Sequence, residues 1–201
     1  IRGRVQILES AAEGPAVVVA GLDEVLVLSA KDGTPLRRIE TAQPGNPLLV
    51  DDQLFLAGNE RLESFMPLGR AEASIRGWLE KDPADPERAM ALLDLGVQSR
   101  NPALVLEGAE RALAALESGA PRVELRGELL SRLLAAQASP LGAADAAGES
   151  LLALASRTAS TAPQQVAARL ALGDWMERHG RAIQAVQAWQ SILSDPSLRT
   201  A

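Results

Sequence analysis

Apolar positions in this chain change period once, near residues 66–70. Before that point they come as short alternating or β-branched runs, the pattern of strands whose side chains point to opposite faces in turn. Val5-Gln6-Ile7-Leu8, Ala16-Val17-Val18-Val19-Ala20, Glu24-Val25-Leu26-Val27-Leu28 and Leu36-Arg37-Arg38-Ile39-Glu40 read as strands. A Gly-Leu-Asp turn, Gly21-Leu22-Asp23, separates the second from the third. Lys31-Asp32-Gly33-Thr34 separates the third from the fourth, because Gly tolerates positive φ and Asp bonds to nearby backbone. Pro44-Gly45-Asn46-Pro47 then breaks the chain. Leu48-Leu49-Val50, Gln53-Leu54-Phe55-Leu56-Ala57 and Arg61-Leu62-Glu63-Ser64-Phe65 form a second set of strands. The two sets match at an offset of about 37 residues, Val17-Val18-Val19-Ala20-Gly21 against Leu54-Phe55-Leu56-Ala57-Gly58.

From Pro67-Leu68-Gly69 onward the period is helical. Asp85-Pro86, Asn101-Pro102 and Ser139-Pro140 each place a capping residue before a Pro, the order expected at a helix start, and Pro121 and Pro163 open helices too. The spacing predicts helices over 69–80, 86–99, 102–117, 121–138, 141–157, 163–179 and 181–194. In the last, Ala182, Ala185, Val186, Trp189, Ile192 and Leu193 recur with helical spacing; Leu104, Leu106, Ala109, Ala112, Leu113 and Leu116 do so earlier. Residues 139–150 are rich in Gly and Ala and read either as a loose linker or as a closely packed helix.

Composition narrows the class. Apolar residues make up 47% of the 201, enough for a packed core, but aromatics only about 2%, so Ala, Leu and Val must fill the interior. Net charge is -6, with Arg scattered among acids, which lacks the basic footprint that nucleic acid requires. There is no Cys, which removes disulfides and thiol chemistry. The longest apolar run, Ala16 to Ala30, is interrupted by Asp23 and Glu24, so no membrane-spanning segment is expected. The chain enters strand-like sequence almost at Ile1, and the expectation is a fragment or a processed form whose targeting signal would lie upstream.

Leu172, Gly173, Met176, Gly180, Ala185, Trp189 and Pro196 stand in the order of a tetratricopeptide (TPR) repeat, which the segment resembles, with the Pro one place early. Leu95-Gly96 offers a second Leu-Gly pair without clear later positions. The run from Val17 to Ile39 resembles a blade of a PQQ-like (quinoprotein-type) β-propeller, although the Trp usual in that family's outer strand is absent and about one and a half blades are present. Together these resemblances imply an α+β chain: a partial β-propeller-like sheet module over 1–67, then a TPR-like α-solenoid of helical hairpins over 68–201. They imply a non-catalytic protein–protein interaction scaffold or assembly subunit of a larger bacterial complex, periplasmic or at the cell surface, with the cytoplasm as the alternative setting. The alternative is the C-terminal part of a quinoprotein-like enzyme whose active site lies outside this chain.

Candidate chemistry is sparse. His179, the only His, precedes Gly180 at an expected helix end, where it complements the dipole, and it lacks the company a catalytic or metal role requires. The acidic pairs Asp23-Glu24 and Asp51-Asp52 read as solvated turns, short of the oxygen set that Ca²⁺ needs. No phosphate loop, GxSxG elbow or HExxH is present, and no metal, redox cofactor or catalytic residue is expected. Trp175 and Trp189 read as core, and Trp78 as a candidate for an exposed face. Arg169, Arg178, Arg181, Gln184 and Gln187 form either a merely solvated face or a clamp for an acidic or carboxylate-terminated protein segment.

Overall fold

A computed structural model of the chain describes residues 5–10, 14–21, 23–41, 45–50, 53–58, 60–119, 122–143 and 145–198. Leu22, Pro44, Asp51, Asp52 and Pro121, which carry turn or helix-opening expectations, lie outside the described residues. The chain divides into two compact units, residues 1–70 and 71–201.

The first unit holds two antiparallel meanders. Strands β1 (Val5–Ser10), β2 (Gly14–Ala20), β3 (Glu24–Ser29) and β4 (Pro35–Glu40) pair in chain order, as do β5 (Asn46–Val50), β6 (Gln53–Ala57) and β7 (Leu62–Phe65). The β3–β4 turn forms as the Asp-Gly pair requires: Thr34 N and Oγ1 donate to Asp32 Oδ1 at 3.2 and 2.8 Å, and Gly33 takes φ +73°. The two sheets share one small core of Ala16, Val18, Val25, Val27, Leu54 and Leu56. They form neither a closed barrel nor a complete propeller.

The chain then changes to helices within two residues, α1 (Leu68–Lys81) following directly on β7. The others are α2 (Pro86–Gln98), α3 (Pro102–Ser118), α4 (Val123–Ala138), α5 (Asp145–Thr158), α6 (Ala162–Arg178) and α7 (Ala182–Ser194). The Asp-Pro and Asn-Pro starts are real caps. Asp85 Oδ1 accepts from Glu87 N and Arg88 N at 3.0 and 3.2 Å, and Asn101 Oδ1 from Ala103 N and Leu104 N at 3.1 and 3.4 Å. Each satisfies amides that a helix start leaves without an intrahelical partner. Ser139-Pro140 behaves differently. Ser139 Oγ accepts from Leu141 N, but Pro140–Ala143 forms only a 3₁₀ turn, and α5 starts later than the expected residue 141.

Consecutive helices pack as hairpins, α2 on α3, α4 on α5 and α6 on α7. The main core joins α1 to α5 through Leu79, Met90, Leu93, Leu113, Leu133, Leu154 and their neighbours. Glycines permit the closest crossing: a Cβ on Gly96 would lie 2.5 Å from Val105 N, and one on Gly108 would lie 2.4 Å from Leu93 N. These backbones touch, which explains Gly inside two helices where propensity disfavours it.

Candidate functional site

The last hairpin, where most of the candidate binding residues lie, is built around two indoles. Gly173 on α6 leaves room for Trp189 on α7; a Cβ there would meet the indole Nε1 at 2.1 Å. The contact matches the expected pairing, and Trp189 is largely covered there, though less enclosed than a fully buried side chain. Helix α7 packs chiefly on α6 and on the turn Pro196–Leu198.

Trp175 is the buried indole, at 1% exposure. It donates through Nε1 to Gly142 O at 3.3 Å, and a Cβ on Gly148 would lie 2.4 Å from the same nitrogen. The Gly- and Ala-rich segment is therefore a closely packed turn and helix rather than a linker. Its small residues admit the α6 tryptophan. His179 stacks on Trp175 with centroids 4.2 Å apart, and its Nδ1 lies 2.7 Å from Trp175 O. The histidine thus finishes α6, in keeping with its place at the helix end. Arg181 lies over Trp175 with its Cζ 5.1 Å from the centroid, and it pairs with Glu149 of α5.

The five candidate clamp residues do not have equal roles. Arg169 is committed within the hairpin: it donates to Ser191 O at 2.8 Å and to Asp195 Oδ2 at 3.1 Å, tying α6 to the end of α7. These contacts and the stronger ones from Ser197 hold the Asp195 carboxyl below its ordinary range, those from Ser197 first. Arg181 is committed to Glu149 and Trp175. Arg178, Gln184 and Gln187 are exposed; Arg178 Nε donates to Asp174 O at 3.2 Å. Trp78 lies elsewhere, half-exposed on α1, with Arg88 of α2 5.5 Å from its ring centroid.

What sequence reasoning missed is an outer apolar stripe on α7. Ile183 is 77% exposed, Leu193 75%, and Val186 lies exposed on the same helix. Val186 and Leu193 belong to the stripe expected to face inward; the observed inward contacts are instead those of Ala185 and Trp189. The signal was available: Ile183, Val186 and Leu193 stand at i, i+3 and i+10, a second face beside the first. Three such side chains on one helix face make a candidate interaction surface.

Elsewhere, α1 is held to α3 by a two-pronged ion pair. Arg76 Nη1 and Nη2 donate to Glu107 Oε1 and Oε2 at 2.7 and 2.8 Å, while Arg76 Nε reaches Glu72 at 2.9 Å. The hydrogen bonds from Arg76 hold the Glu107 carboxyl below its ordinary range. Among the described residues no group of three or more His, Cys, Asp or Glu is placed to hold a metal ion, and no helix is long and apolar enough to cross a membrane. Protein-family models, curated proteins and solved structures, compared with the chain, gave no match.

Proposed function

We propose that this chain is a non-catalytic interaction subunit that holds a partner polypeptide along its last helical hairpin. On this reading the helices are a short TPR-like solenoid and the two sheets are successive blades of PQQ-like type. The setting is extracytoplasmic, in keeping with that resemblance. The observation that carries the proposal is the outer stripe of α7, the branched aliphatic side chains of Ile183, Val186 and Leu193 left open to solvent. Each hairpin of a solenoid packs on its neighbours, so a hairpin with an apolar outer face offers a surface of the kind those neighbours use. The exposed Arg178, Gln184 and Gln187 supply a polar border. The guest is an amphipathic segment, apolar toward Ile183 and Leu193 and carrying carboxylates toward Arg178. Apolar anchors would carry the affinity, and the border charge would chiefly set the rate of association.

The test is capture from an extract of the source cells, with wild type, Ile183→Ser/Leu193→Ser and Arg178→Ala compared side by side. We expect the double variant to lose the partner by more than tenfold and Arg178→Ala to weaken capture in a salt-dependent way. If wild type captures nothing, or the double variant holds the same partner equally well, the proposal fails.

A further inference from the structure

Helices α2 to α7 pack in consecutive pairs, and α1 stands before the first pair. Its hold on α2 and α3 is slight beside their hold on each other. Ile75 and Leu79, one turn apart, are its buried residues, with Ala71 partly buried beside them. In the same core α2 buries Met90, Leu92, Leu93 and Leu95, and α3 buries Leu104, Val105, Leu113 and Leu116. The polar ties of α1 lie nearer the surface. In the pair of Arg76 with Glu107 of α3, the side chains are 38% and 30% exposed. Trp78, half-exposed, has Arg88 of α2 over its ring.

The glycine inside α1 points the same way. A Cβ on Gly77 would meet nothing within 4 Å, whereas one on Gly96 or Gly108 would strike the backbone of the facing helix. The crossing of α2 and α3 requires its glycines; at Gly77 no packing offsets the loss of helix propensity. A helix of 14 residues is marginal by itself in water, so α1 is helical because it is docked.

We propose that α1 is a releasable latch. It leaves the α2–α3 hairpin as one piece and unwinds, while α2 and α3 keep their fold. Arg76 and Glu107 are its catch. Release opens the apolar seat of Ile75 and Leu79, and it turns residues 68–81, which link β7 to α2, into a flexible tether. The catch is electrostatic and partly exposed, so raised salt promotes release. The latch goes beyond the partner reading above, does not involve the last hairpin, and can fail while that reading stands.

The experiment is native-state hydrogen exchange of the whole chain across low urea, for wild type, Glu107→Gln and Gly77→Ala. Separate opening of α1 exposes little surface, so its amides should depend weakly on urea. Those of α2 and α3, freed only by wider unfolding, should depend on it steeply. We expect α1 amides to exchange at least about a hundredfold faster than the slowest amides of α2 and α3. Glu107→Gln should speed α1 exchange about fivefold, and Gly77→Ala should slow it by about the same factor. Raised salt should speed α1 exchange in wild type more than in Glu107→Gln. If α1 and α3 amides share one rate and one urea dependence, the latch is overturned. If α1 opens separately but responds neither to Glu107→Gln nor to salt, the catch assigned to Arg76 and Glu107 is overturned.

Discussion

The α2–α3 and α6–α7 hairpins are built alike and finished differently. Both place a glycine where two helices cross. In α2–α3, Gly96 and Gly108 bring backbone against backbone, and the buried side chains include Leu92, Leu93, Leu104, Leu113 and Leu116. In α6–α7 one glycine meets an indole, and only Ala168, Gly173 and Trp175 on α6 and Ala185 on α7 are buried. The first hairpin has neighbours in α4 and α5; α7 has α6 and the closing turn. The lesson is that an apolar stripe shows how much surface a helix has to cover, while the helices packed around it decide which part is covered.

The largest effect should come from the single large side chain that anchors the weaker hairpin. Trp175→Ala removes a fully buried indole and its hydrogen bond to Gly142 O, and should cost about 3–5 kcal/mol in urea unfolding. Trp189→Ala, less enclosed than Trp175, should cost about 2 kcal/mol, below that range. If the two costs were equal, the open side assigned to α7 would be wrong.

Next is the close crossing of the stronger hairpin. Gly108→Ala improves helix propensity by about 1 kcal/mol, yet its Cβ would sit 2.4 Å from Leu93 N and 2.8 Å from Ala89 O, atoms that cannot yield. We expect a net loss of about 2 kcal/mol. Gly77→Ala on α1, with nothing within 4 Å of the added carbon, should instead raise stability by about 0.5–1 kcal/mol. A Gly108→Ala protein as stable as wild type would mean that α2 and α3 lie further apart.

A smaller effect follows from the ion pair that holds α1 to α3. The Glu107 carboxyl is depressed by Arg76 in the fold, so its contribution is present above the ordinary Glu pKa and is lost as pH falls through the lower folded value. We expect Glu107→Gln to cost about 1 kcal/mol at neutral pH, a figure kept low because the pair is partly exposed, and the difference from wild type to close under acid. Asp94 acts in the opposite sense, its carboxyl raised by burial, so the variant and not the bare acid titration isolates the Glu107 pairs with Arg76 and Arg111. A difference that persists below about pH 3 would show that Glu107 acts through packing.

Much of this fold was legible, and the reasons are local. Asp85 and Asn101 before proline signalled helix starts through backbone bonds made within three residues. Asp32-Gly33 signalled its turn in the same way, and the period changed where β7 gives way to α1. What escaped depends on residues distant in sequence. Trp175 and Trp189 looked equivalent, and only Gly142 and Gly148 decide which is enclosed. Nothing local in the sequence marks the pairing of Arg169 with Asp195 or of Arg181 with Glu149. In Val17-Val18-Val19 both faces of the strand are apolar, so the sequence could not say which would be buried.

Smallest of all in stability should be Ile183→Ser/Leu193→Ser, within about 0.5 kcal/mol of wild type, because both side chains already face solvent. Its effect belongs to the partner, and hydrogen exchange of the captured complex tests that most directly. We expect the amides of α7 to slow on capture while those of α3 keep the rates of the isolated chain. Slowing confined to α1–α4, with α7 unchanged, would contradict the role given to the last hairpin.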